Sequence, residues 1–170
     1  ATMPNSGAAQ QRRGRLLWVI FAAVIVLVDQ ITKVWADASL VYGQPNPVLP
    51  VLDITLHYNP GAAFSFLSDA GGWQRWFFTV ISAAVSVYLL VWLMKLRRQQ
   101  WLLSMALTLV LGGALGNLWD RVRLGHVIDF ISVHWGNAYF PTFNIADAAI
   151  SVGAVLLIID TFIHSDADDK

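Results

Sequence analysis

Two aspartates stand where a carboxylate is costly unless it has work to do. Asp129 sits in "VIDF", inside the β-branched and aromatic run "HVIDFISVHW" (126–135), and Asp147 sits in "FNIAD", at the mouth of an apolar run that continues through "GAVLLII". Held about 3 Å apart in a partly dry site, two carboxylic groups cannot both ionise, so one keeps a proton while the other acts as a base. The base draws a proton from water, the water attacks a peptide carbonyl, and the protonated partner stabilises the developing oxyanion. Such hydrolysis needs no metal, thiol or serine. Each residue also has an ordinary reading. Asp147 suits a helix N-cap or first turn, which the helix dipole favours, and Asp129 suits the exposed face of a strand.

The other acids have simpler roles. All eleven are aspartates. Asp166, Asp168 and Asp169 make a solvated tail, Asp37 and Asp69 lie in loops, and Asp53 falls on the polar side of a strand, so these are expected at the surface. Asp160, near the end of the last apolar run, reads as structural, since residues at span ends escape most of the insertion penalty. Asp29 precedes Lys33 by four residues, a favourable acid-then-base spacing on one helix face. The pair is expected to neutralise itself and fix the end of its helix, with a proton relay as the alternative. Asn117, one turn before Arg121, can either donate to a substrate backbone or bridge helices.

Other chemistries have little to stand on. There is no cysteine, which removes disulfides, thiol nucleophiles and thiolate-bound zinc. "GxSxG" and His-Glu-x-x-His are absent, and His126 three residues before Asp129 is the only hint of a metal pair, so no metal or other cofactor is expected. A Ser65–Lys33 dyad is conceivable, but Asp29 accounts better for Lys33.

The elements that must position the two aspartates follow from composition. The chain has 170 residues, 56% of them hydrophobic, with eight tryptophans. That is too apolar for a soluble domain of this length. Four stretches are long enough to cross a bilayer core, which takes roughly 20 residues: Leu16 to about Ala36, Trp76 to Met94, Trp101 to Trp119, and about Ile145 to Ile163. "GQPNPVLP" (43–50) forbids a helix. After it, "VLDITLHY" alternates with the period of a half-buried strand, and 126–135 is a second strand candidate. Gly112, Gly113 and Gly116 are expected to let helices pack closely.

Charge sets the expected topology. Net charge is zero, giving no attraction for nucleic acid. Arg12, Arg13 and Arg15 precede the first span, and Lys95, Arg97 and Arg98 lie between the second and third. By the positive-inside rule both clusters and both termini are cytoplasmic, and the longer connections face the exterior. "DQITK", rather than a small-residue cleavage site, follows the first apolar run, which is therefore read as retained. The expected organisation is a flexible cytoplasmic N-terminus (1–15), one membrane-embedded domain (16–163) and a cytoplasmic tail (164–170).

In order and spacing, "DQITK" (29–33), "NPGAAFS" (59–65), "GNLWDR" (116–121), "VIDF" (127–130) and "FNIAD" (143–147) resemble the lipoprotein signal peptidases, or signal peptidase II, across nearly the whole chain. The resemblance implies four transmembrane helices with a small periplasmic β-sheet cradle and a short periplasmic helix, which "SDAGGWQRW" could supply. It implies an inner-membrane aspartic endopeptidase that cleaves diacylglyceryl-modified prolipoproteins just before the lipidated cysteine. Asp129 and Asp147 would be catalytic. Asn59, Gly61, Asn117, Arg121 and Asn144 would hold substrate or shape the site, with Asp29 and Lys33 in support. Membrane lipid and globomycin-type cyclic peptide inhibitors are the further partners implied. From a different class, a small proton-coupled transporter using Asp29, Asp129 and Asp147 is the rival. It would favour acids at mid-membrane and paired repeats, neither of which is visible.

Overall fold

A computed structural model describes residues 6–61 and 73–168. The order is α1 (Ser6–Ser39), β1 (Asn46–Leu49), β2 (Leu52–Asn59), α2 (Trp73–Lys95), α3 (Trp101–Arg123), β3 (Val127–Trp135), β4 (Ala138–Tyr139) and α4 (Ile145–Asp168). All four helices are long and apolar enough to cross a membrane. They extend beyond the apolar runs that mark them. α1 starts ten residues before Leu16 because "SGAAQQRRGR" holds good helix formers and no proline.

α3 is the centre of the bundle and packs on each of the other three helices. Its residues Leu107 and Leu111 join Ala22, Leu89, Leu93 and Leu96 in one buried cluster. The outward faces of α1, α2 and α4 carry exposed apolar side chains such as Leu27, Val80, Val87, Val155 and Ile158. That pattern suits a hydrocarbon surround, in which apolar surface carries no penalty. Close approach is built in at Gly116 of α3: a Cβ there would stand 2.6 Å from the Asp29 carboxylate of α1.

The strands form one antiparallel sheet in the order β1-β2-β3-β4, with His57 opposite Asp129 and Asn59 opposite Val127. Its inner face places Leu56, Ile128 and Phe130 against Ala36 of α1, with Ile145 of α4 packed alongside. The sheet thus rests on one end of the bundle, and Tyr58 anchors it by donating its hydroxyl to Asp37 Oδ1 at 2.6 Å. Two strands go beyond the sequence expectation. β1 contains Pro47, which an edge strand tolerates because its missing N–H would face solvent. β4 has only two residues. The short helix expected from "SDAGGWQRW" falls at residues 68–72, outside the described residues, and 73–76 open α2.

Candidate active site

The last two turns of α3, the start of β3 and the first turn of α4 converge at one end of the bundle. Asn144 joins them. Its side-chain amide donates to Asp129 Oδ1 at 2.7 Å and lies 3.1 Å from the Ile128 carbonyl and 3.2 Å from Asn117 Oδ1. Its backbone N–H reaches Asp147 Oδ2 at 3.3 Å, and its Oδ1 accepts the Asp147 N–H at 2.9 Å. The exchange between Asn144 and Asp147 is a reciprocal N-terminal cap of α4, an asparagine–aspartate form of the capping box. Asp147 is therefore a helix-cap residue, and it also presents its other oxygen to the site: Oδ1 accepts from Asn117 Nδ2 at 2.7 Å. Both carboxyl groups touch one residue, so β3 and α4 bring the two aspartates together.

Their environments differ. Asp129 is 3% exposed, whereas Asp147 is only partly buried. Burial pushes the Asp129 carboxyl up to about 7, helped by the neighbouring charge of Asp147 and opposed by hydrogen bonds from Asn59 and Asn144 and by the charge of Lys33. Near neutral pH Asp129 holds a proton for much of the time.

The rim is formed by Asn59, Gly61 and Arg121. Asn59 donates to Asp129 Oδ2 at 3.2 Å, and its Oδ1 accepts the Gly61 N–H at 2.9 Å, closing a tight turn after β2. Gly61 has φ of 104°, and a Cβ there would lie 2.5 Å from the Phe78 ring. Only glycine turns the chain here without strain. Arg121 places its guanidinium 5.8 Å from the centre of that same ring, and its Nε is buried with no hydrogen-bond partner among the described residues. Arg121 stands beside the aspartates without bonding to either among the described contacts; its Nη1 reaches the Asn117 carbonyl at 3.5 Å.

Behind the pair lies a buried ionic cluster. Lys33 Nζ, 1% exposed, meets Asp29 Oδ2 at 2.8 Å, Asp120 Oδ2 at 2.9 Å and Asn117 Oδ1 at 2.9 Å. Three donors thus meet three acceptors. Asp29 Oδ1 accepts the Ala146 N–H of α4 at 2.9 Å, and Asp120 Oδ2 accepts the Ile128 N–H of β3 at 3.2 Å. Gln30 Nε2 donates to Asp120 Oδ1 at 2.9 Å. One lysine therefore ties α1, α3, β3 and α4 together directly under the aspartate pair.

Asp29 and Lys33 pair as their spacing suggests, but Asp120 and Gln30 carried no expectation. The signal for Asp120 was present: it follows Gly116 by four residues and Asn117 by three, on the same face of α3. Asp53 is a correction. Expected at the surface, it is 4% exposed, with its Oδ1 3.4 Å from His134 Nε2. Asp53 and Thr55 alternate with Ile54 and are nonetheless buried, so polarity at alternate strand positions does not mark a solvent face here. Ser65 lies outside the described residues, and Lys33 is already committed to two carboxylates and an amide.

Comparisons with known proteins bear on the family and the fold. The family model described as Signal peptidase (SPase) II matches residues 21–163. The lipoprotein signal peptidase of Pseudomonas fluorescens is 54% identical over 162 residues, 94% of each chain. That of Acinetobacter baumannii is 51% identical over 164 residues, covering 94% of this chain and 93% of its own. A bacterial membrane enzyme solved at 2.3 Å by the in meso method superposes with a TM-score of 0.78 at 33% identity, over 91% of this chain and 92% of that one. None of this supports the transporter reading.

Proposed function

The chain belongs to the signal peptidase II family, a multi-pass bacterial membrane group, and from that membership we propose that it is an aspartic endopeptidase removing signal peptides from prolipoproteins, with Asp129 and Asp147 as its catalytic pair. The observation that carries the assignment is the bridging of both carboxyl groups by Asn144, together with the raised affinity of Asp129 for a proton.

The chemistry follows from the difference in environment. Asp147, the more exposed of the two, serves as the base and takes a proton from a water molecule as the water oxygen attacks the scissile carbonyl carbon. Asp129 gives its proton to the carbonyl oxygen, forming a neutral gem-diol. On collapse the carbon–nitrogen bond breaks, the leaving amine takes the proton from Asp147, and one diol hydroxyl returns its proton to Asp129. Asn117 and Asn144 hold the two carboxyls in position, and Asn59 and Arg121 orient the substrate backbone along the rim.

The substrate is a prolipoprotein already carrying diacylglycerol on its cysteine, cut just before that residue. Each buried methylene adds about 0.8 kcal/mol of membrane affinity, so the acyl chains hold the scissile bond at the interface and deliver it by lateral diffusion. The arginine-rich end of the bundle is cytoplasmic, both termini lie there, and the aspartate pair faces the periplasm. Globomycin-type cyclic peptides would block the same cleft. Purified protein in lipid nanodiscs, offered one precursor with and without the diacylglyceryl group, should cut only the modified form. Equal cutting of both would remove the lipid requirement, and cutting of neither would remove the peptidase assignment.

A further inference from the structure

At the end of the bundle far from the aspartates, α1 and the α2–α3 connection enclose a groove of about 450 Å³, within the range of small-ligand clefts, roughly 300–1,000 Å³. Its rim carries Arg13 and Arg98, and its wall is made by Leu17, Trp18, Phe21 and Trp101. A second hollow of about 270 Å³ opens beside it between Gln11 and Arg97, again with Arg98 in its lining. No carboxylate lines either hollow among the described residues. A third arginine, Arg15, lines an adjoining smaller cleft with Trp18, Arg97 and Arg98; it reaches the Leu96 carbonyl at 3.4 Å through Nη2, and its Nε is buried with no hydrogen-bond partner among the described residues. None of these residues takes part in the site described above.

We infer that this groove binds one anionic glycerophospholipid from the leaflet at that end, its phosphodiester between Arg13 and Arg98 and its acyl chains along Trp18 and Phe21. The separation of charge and apolar surface selects the occupant. Guanidinium groups match phosphate oxygens in a bidentate manner, and a free phosphate would leave the aromatic wall unused. A zwitterionic lipid would bring its ammonium against a cluster that holds Arg12, Arg13, Arg15, Lys95, Arg97 and Arg98. Basic pockets between transmembrane helices are the expected address of anionic headgroups.

Native mass spectrometry of the full chain, released from mixed phosphatidylglycerol and phosphatidylcholine micelles, tests this directly. Wild type should retain one phosphatidylglycerol in preference to phosphatidylcholine. Arg13→Ala with Arg98→Ala should lower retention on the order of fivefold per arginine. Arg12→Ala with Lys95→Ala removes the same charge outside the groove and should retain the lipid. All four side chains are exposed, so each pair should melt within a degree or two of wild type. Equal loss in both pairs would reduce the effect to surface charge, and equal retention of phosphatidylcholine would remove the headgroup preference. Displacement of the lipid by inorganic phosphate at matched concentration would make the site one for a free anion. Each of these outcomes overturns the inference.

Discussion

Lys33→Met is the substitution whose effect the geometry defines most sharply. Methionine keeps the volume of the side chain, so no cavity opens, but the ammonium that meets Asp29, Asp120 and Asn117 at 2.8–2.9 Å is gone. Two carboxylates, 0% and 2% exposed, are then left facing one another without a cation. Removing one partner of a buried pair costs about 3–5 kcal/mol. For a chain of this length that is an apparent Tm lowered on the order of 10 °C, read by tryptophan fluorescence in a fixed detergent at pH 7. The cause can be isolated. Asp120→Asn alone should destabilise, because it weakens a satisfied cluster, yet the same change added to Lys33→Met should recover at least about 1 kcal/mol by removing one uncompensated charge. Such non-additivity is the signature of residues sharing one network. A Lys33→Met protein within about 0.5 kcal/mol of wild type, or additive losses in the double variant, would be incompatible with a lysine that neutralises both acids.

Other expectations follow from single residues. Asp129 binds its proton more tightly folded than unfolded, so between about pH 4 and 7 the folded state holds more protons and stability falls as pH rises; Asp129→Asn should flatten that part of a Tm-against-pH curve. In the proposed mechanism the same group is the proton donor, so cleavage should decline as pH climbs through about 7, measured as kcat/KM across a buffer series. Asn144→Ala removes the residue that spans both carboxyls, and since misplacement by about 1 Å can cost on the order of 100-fold, cleavage should drop by at least that much while the protein still folds. Gly61→Ala puts a methyl group into the Phe78 ring at a φ of 104°, a strain of about 1–3 kcal/mol, seen as a lower Tm and slower cleavage.

The four spans were legible because apolar runs of that length are rare outside membranes, and the end of the bundle that carries the sheet followed from the loop lengths. β1 and β4 were not legible. One is proline-rich and exposed, the other has two residues, and their pairing is decided by neighbours distant in sequence. Asp147 illustrates a limit of choosing between roles: cap and site residue read as rivals, yet a carboxylate has two oxygens, and with Oδ2 on the Asn144 N–H and Oδ1 on Asn117 the cap does not preclude the proposed role. Asp53 reads as a surface acid because strand alternation marks one face polar, but alternation cannot say that this face is buried, here beside His134 of the neighbouring strand. For Asp120 the spacing to Gly116 and Asn117 marks its face of α3, but nothing in local pattern names its partner, because Lys33 already has an acid at helical spacing and the second one comes from another helix.

If Asp129 and Asp147 act as one pair on the scissile bond, neither can cut without the other. Single-turnover cleavage of a diacylglyceryl-modified precursor by Asp129→Asn and by Asp147→Asn, with precursor binding measured on the same samples, reads this at the reacting atoms. Both variants should bind the precursor about as wild type does and leave it uncut. Measurable cleavage near the wild-type rate by either one would show that the pair is not the catalytic unit.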